Sequence, residues 1–325
     1  RGHAPWCDVT SDDFNFDGCQ EVQLAGNHLI ALFEPSQGGR MYELDVREIA
    51  HNLLATLSRR TEAYHHKVLA GPTGNGEEMA SIHDRVVFKQ EGLDRLLQYD
   101  NYARKSLVDH FYAVDTKLDD VASNSADELG GFVEEAYRFE IGQDEAEGVE
   151  GAYVVLRRKA LVDSHEISIS KRISMAAGCS VLDVAYLVEG LPVDHPLHFA
   201  VEWNFSGMPA GIDDRYFYDA QHNRLGQLGE QLDLQDTSGV GLVDEWLGID
   251  VGLACDRPTR FWTFPIQTVS QSEAGFEAVH QSVVVMPHWL IRGDESGRWG
   301  VSMQLSVSTA LAEQRTADRQ IVGSR

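Results

Sequence analysis

Residues 13–18 read Asp13-Phe14-Asn15-Phe16-Asp17-Gly18, a D-x-N-x-D-G run. In that pattern alternate side-chain oxygens can close on a hard cation while glycine makes the sharp turn. Glu21 offers a further carboxylate, but Leu24 stands where an EF-hand carries its glutamate. The expectation is therefore a single calcium loop of a β protein. The alternative is an Asx-turn leading into the strand EVQLA, with Gly18 at positive φ. A second candidate is the pair Glu202 and Asn204, two apart and so aimed the same way on a strand. A third is the stretch 260–289, where Trp262 and Phe276 flank the polar run that holds Gln271, Ser272 and Glu273. Sugar sites combine an aromatic platform with planar amides and carboxylates in this way; the alternative is an interface loop docked on a partner domain.

Strands must position these groups. In 197–205, Leu197, Phe199, Val201, Trp203 and Phe205 share one face and His198, Glu202 and Asn204 the other. Segments 165–173, 180–188 and 299–308 alternate likewise, and 151–162 is strand-like, which predicts half-buried antiparallel strands. The sequence predicts a mainly β chain, one large antiparallel β-sandwich over residues 1–325 with a few short helices. Helical signals are limited to Ile49, Leu53 and Leu57 at four-residue spacing and to 91–97. Pro35-Ser36-Gln37-Gly38-Gly39 predicts a tight reversal, after which Arg40 makes a surface ion pair or faces a ligand. Residues 71–79 and 206–214 read as loops. Residues 119–150, with eleven carboxylates against Arg138 alone, read as a solvated insertion, and 310–325 as a frayed polar tail.

The chain has 325 residues, is 43% hydrophobic and carries a net charge of −24. That length supports a sizeable core. That charge argues against a nucleic-acid partner, which needs clustered Lys and Arg. No 18-residue apolar run predicts a membrane span. Cys7, Cys19, Cys179 and Cys255 have no CxxC spacing and predict unpaired thiols in a cytoplasmic protein, with one disulfide as the alternative. The chain starts with Arg1 and shows no signal-peptide pattern, as expected of a fragment or a processed chain.

Several segments also carry a family resemblance. Residues 264–277, FPIQTVSQSEAGFE, resemble the FPI-x-TVSQSE-x-GFE segment in the C-terminal domain of glycoside hydrolase family 57, the α-amylases and 4-α-glucanotransferases that act on α-1,4-glucans. Residues 52–65 (NLLATLSRRTEAYH), 102–111 (YARKSLVDHF), the strand pair 21–45 and Glu202-Trp203-Asn204 are similar to that family too, and the match runs from about 8 to 308. The resemblance implies a galactose-mutarotase-type sandwich beside a separate N-terminal (β/α)7 barrel that carries the catalytic carboxylates. This chain would then be an accessory domain without them. It also implies that His110 can donate to a sugar oxygen, the alternative being a satisfied, half-buried histidine. His110, Glu202 and Asn204, with Trp262, Gln271 and Glu273 near, would then form a concave surface for an α-glucan or maltooligosaccharide. A stand-alone carbohydrate-binding module is one alternative. An aldose-epimerase-like enzyme using His110 and Glu202 as acid and base is another. A homodimer is left open.

Overall fold

The computed structural model describes residues 4–55, 57–70, 88–206, 208–272 and 275–323; the loop expected at 71–79 lies outside them. The chain opens with β1 (Cys7–Asp12), β2 (Glu21–Gly26), β3 (Leu29–Glu34), β4 (Arg40–Val46) and β5 (His51–Asn52), an antiparallel sheet in that order. The expected reversal joins β3 to β4. Gly38 and Gly39 both have positive φ there, and a Cβ on Gly38 would lie 2.1 Å from the Val133 carbonyl oxygen. Gly38 is thus set by the close approach of Val133 as much as by the turn.

After α1 (His65–Ala70) comes the second sheet. It contains β6 (Val108–Tyr112), then, past α2 (Leu118–Ala122), β7 (Arg138–Ala146), β8 (Val149–Val162), β9 (His165–Ala176), β10 (Val181–Glu189) and β11 (Leu197–Ser206). It continues with β12 (Arg215–Asp219), β13 (Arg224–Gln227), β14 (Leu232–Asp244), β15 (Ile249–Ser272), β16 (Gly275–Ile291) and β17 (Arg298–Ser308), and α3 (Ala310–Gly323) closes the chain. The order is β13-β12-β14-β15-β17-β10-β9-β8-β7, with β15-β16-β11-β6 branching from it. β15 makes the branch: residues 250–255 pair with β17, whereas 260–272 pair with β16. The sheet thereby folds over itself. Its inner faces, with β2, β3 and β4, enclose one apolar core that includes Phe33, Ile169, Val184, Trp203, Phe261 and Leu305.

Alternation predicted β9, β10, β11 and β17, and the strand-like stretch 151–162 lies in β8. Three expectations fail, each for a local reason. Residues 49–57 are not a helix. Arg47–Ile49 is a single 3-10 turn, Asn52 Oδ1 accepts from the Leu44 and Leu54 amides, and the adjacent Leu53 and Leu54 are both fully buried while Leu57 is exposed. The acidic stretch 119–150 is not one solvated loop. It builds α2, the edge strand β7 and the β7–β8 turn, and its charges face water along an edge that unpaired strands elsewhere would otherwise extend. The tail is helical from Ala310, with Thr309 Oγ1 donating to Glu313 Oε1 at 2.7 Å. The 91–97 signal yields a 3-10 turn at Leu93–Leu96. All four cysteines are unpaired, and no described helix is long and apolar enough to cross a membrane.

One ion pair lies inside the main core. Lys171 Nζ sits 2.9 Å from Asp109 Oδ2, both fully buried. Tyr137 and Tyr186 donate to the two Asp109 oxygens at 2.7 and 2.6 Å, and Lys171 donates to the Leu107 carbonyl at 2.7 Å. Burial pushes both tyrosines well above their usual range, with the Asp109 charge adding to it. Because every polar atom is paired, removing one member leaves an uncompensated charge. Lys171→Met should destabilise the chain by about 3–5 kcal/mol, and adding Asp109→Leu should recover part of that loss, measured by urea unfolding. A single variant as stable as the parent would contradict the ionised pair.

Candidate functional site: a buried ion network and a motif groove

Alternation turns Leu197, Phe199, Val201, Trp203 and Phe205 of β11 into the main core, so Glu202 and Asn204 stand on the opposite face. β6 pairs with β11 through Ala200↔His110 and Glu202↔Val108, and this register carries His110 to that same face. The two expected partners converge: His110 Nε2 lies 3.4 Å from Glu202 Oε2. The face is not an open concave surface, however. Residues 99–104, α2 and 124–128 cover it, and His110, Glu202 and Asn204 are each 0% exposed. An alternating strand reports which face is polar but not what packs on it, and here a second layer of chain does.

The covering segments supply groups that the sequence did not single out. Tyr102 OH donates to Glu202 Oε2 at 2.6 Å, and Arg104 Nη1 reaches the same oxygen at 3.1 Å. Arg104 Nε donates to Asp100 Oδ1 at 2.8 Å, and Asp100 pairs in turn with Arg59 at 2.7 Å. Glu128, from the acidic stretch, hydrogen-bonds His110 Nδ1 on its far side. Asn204 Nδ2 donates to Glu202 Oε1 at 3.3 Å. With His110 protonated, Arg59, Arg104 and His110 balance Asp100, Glu202 and Glu128. Burial opposes charge on His110, but Glu128 and Glu202 outweigh it and lift its pKa to about 9. Burial likewise opposes the Glu202 anion, but Arg104 and then His110 bring it down to about 2. The adjoining cavity, lined by Tyr102, Tyr112, Asn124 and Glu128 among others, measures about 30 Å³. That is room for a water or two and not for a sugar. In this conformation His110 and Glu202 cannot act on an aldose as acid and base.

The other expected residues separate. Trp262 is buried in the same layer, stacked on His288 at 3.8 Å between ring centroids and set edge-on to His198. Burial holds His198 down to about 4. Gln271 is exposed near the end of β15, nine residues and roughly 30 Å along the strand from Trp262. Glu273 lies outside the described residues. Arg40 belongs to the first sheet and makes a buried rather than a surface pair, with Nη2 2.7 Å from Glu34 Oε2 and a second bond to Gln37. Asp13, Asp17 and Glu21 meet at the β1–β2 turn, each bringing one oxygen within 4.8 Å of the others. Asn15 there accepts from the Asp17 amide and donates to its carboxylate.

The described part of the polar run, residues 268–272, forms no loop. It ends β15, hairpinned to β16, and segment 57–65 packs against it. Tyr64 OH donates to the Val269 carbonyl at 3.2 Å, and His65 Nε2 lies 3.3 Å from that same oxygen. Between these segments runs a groove of about 530 Å³, walled by Leu57, Arg59, Tyr64, His65, Thr268 and Gln281. Arg59 joins groove and ion network, since its guanidinium holds Asp100 and Gln98 while its residue lines the groove. Four segments distant in sequence, 52–65, 102–111, 202–204 and 264–277, therefore meet in one continuous structure.

Comparison with known proteins agrees with this geometry. Residues 13–303 match the family described as alpha-amylase/4-alpha-glucanotransferase, C-terminal. The chain is 29% identical over 272 residues to a 4-alpha-glucanotransferase of Thermococcus kodakarensis; the match covers 83% of this chain and 37% of that protein. Among solved structures, the 4-alpha-glucanotransferase of Thermococcus litoralis superposes with a TM-score of 0.66 at 24% identity, over 93% of this chain and 41% of that one. A putative aldose 1-epimerase from Klebsiella pneumoniae superposes at 0.52 and 9% identity, over 96% and 88% of the two chains. These superpositions establish the fold, a galactose-mutarotase-like β-sandwich. The chain spans well under half the length of the relatives that share its sequence.

The network has a pH signature. A folded-state pKa raised above the ordinary 6.5 means that His110 contributes stability fully below pH 6.5 and loses it as pH rises through about 9. Urea unfolding between pH 6 and 10 should show a loss on the order of 1–3 kcal/mol that His110→Gln lacks. Parallel pH profiles for the two proteins would remove the charged histidine.

Proposed function

The chain belongs to the C-terminal domain family of α-amylases and 4-α-glucanotransferases, and from that premise we propose that it is the accessory domain of an α-1,4-glucan-active enzyme. The catalytic carboxylates then lie on an N-terminal (β/α)7 barrel of the same polypeptide, and this domain docks on that barrel. The observation that carries the reading is the groove between segments 57–65 and 264–281, where the two most distinctive motifs meet. Its surroundings fit a covered face. Leu57 is 62% exposed on its wall and Leu69 67% exposed in the adjoining hollow with Phe88 and Leu93, in a chain whose surface is otherwise strongly acidic. The remaining length of the relatives leaves ample chain for a catalytic part. The buried His110–Glu202 network supports the groove from behind through Arg59, so its role is to position rather than to react. Unpaired cysteines fit a cytoplasmic setting.

Two measurements test this. The chain alone should release no reducing ends from soluble starch; release abolished by a substitution within the chain would overturn the accessory role. Leu57→Glu should leave the stability of the isolated chain within about 0.5 kcal/mol, because the side chain already faces water. In a polypeptide that joins the chain to its catalytic part, the same change should lower both Tm and glucan turnover. Unaltered turnover and Tm would place the docking face elsewhere. Maltoheptaose binding by the chain alone, lost in Tyr64→Ala, would instead make the groove a carbohydrate-binding site.

A further inference from the structure

The turn between β1 and β2 holds three carboxylates with no cationic partner among the described residues. Among the described residues no Lys, Arg or His forms an ion pair with Asp13, Asp17 or Glu21. Glu21 is 0% exposed. Its Oε2 accepts from the Phe14 and Asn15 amides, at 2.8 and 3.2 Å, but Oε1 is buried with no hydrogen-bond partner. An unpartnered, buried oxygen on a carboxylate that meets two others costs several kcal/mol unless a cation completes the group.

We propose that Asp13, Asp17 and Glu21 bind one calcium ion that locks the β1–β2 hairpin, with the buried Glu21 Oε1 as its anchoring ligand. The donors are all oxygen, which suits a hard cation. Oxygens on a calcium shell at about 2.4 Å span at most about 4.8 Å. One oxygen from each of the three residues lies within 4.8 Å of the others. Gly18 at φ +88° and Phe16 at φ 61° curl the loop so that the Asp17 and Gly18 amides hold the Asp13 carboxylate in place. Asp12 pairs with Glu21 at the end of the hairpin, and the next residues, Val22 and Leu24, enter the core. The ion would thus join an exposed loop to the first buried strand. Asn15, engaged with Asp17, completes the turn.

The test uses the whole chain, stripped with EDTA. Equilibrium dialysis should find one calcium per chain, and Tm in about 1 mM calcium should exceed that in EDTA by roughly 3 °C, with magnesium giving less. Asp17→Asn and Glu21→Gln should each weaken binding by about tenfold or more, and Glu295→Gln, exposed in the β16–β17 turn, should not. In EDTA, Glu21→Gln should melt no lower than the parent, because a neutral amide replaces the unbalanced charge while still accepting from the two amides. A merely structural Glu21 would make that variant less stable whether or not calcium is present, and that result counts against the site. Should Glu21→Gln fail to fold, Asp17→Asn in the exposed loop carries the decision. Identical Tm in EDTA and calcium with no bound ion, or binding that survives both substitutions, overturns the proposal.

Discussion

Consecutive residues of a strand face opposite ways, and the fold depends on what β6 does with that constraint. Asp109 points into the main core and pairs with Lys171; His110 points outward and joins Glu202 and Glu128. Each is fully buried, so each requires a complete set of partners. Those partners come from β9, β10 and Tyr137 on one side and from segments 99–104 and 124–128 on the other. A one-residue slip of β6 against β11 would exchange the two charges and strand both. Five residues of sequence thereby fix the register of the strand and the position of the layers packed on either side of it.

The strands were legible because half-buried antiparallel strands carry a period of two, and 197–205 or 299–308 show it without interruption. The convergence of His110 with Glu202 was legible for the same reason: face and neighbour follow from alternation and pairing. What covers a face is a tertiary fact with no local period. Tyr102 and Arg104 stood out only as part of the 102–111 motif and Glu128 read as part of a solvated insertion, and nothing in their own sequence marks them as the lid over a buried carboxylate. The misread helix at 49–57 has a related cause. Ile49, Leu53 and Leu57 recur as a helical stripe would, yet the Asn52 side chain satisfies two backbone amides in an extended geometry, and Leu54 is wanted by a bridge to Phe205. Trp262 and Gln271 were grouped because they are close in sequence, but an extended chain carries nine residues far.

The same contrast explains the division of labour in the domain. Its most chemically suggestive residues are buried and mutually neutralised, which makes them scaffold. The groove they support is walled by modest groups, a leucine, a tyrosine and amides, on a hairpin whose backbone is pinned by Tyr64 and His65. A rigid, weakly reactive face suits the docking role proposed for it.

β15 runs 24 residues from the core to the groove without a break, with Pro258 near the point where it leaves β17 for β16. Mechanically it is a single beam clamped at one end. Its outer half has no independent freedom to choose which side chains face the groove, because phase is inherited from the clamped half. An insertion of one residue between Phe261 and Thr268 would invert the hairpin beyond it, turning Val269 away from the pocket it shares with Phe276 and presenting its neighbours there. Length changes in this domain are therefore tolerable near Pro258 or past the hairpin tip, and the stretch between them transmits every error to the groove wall.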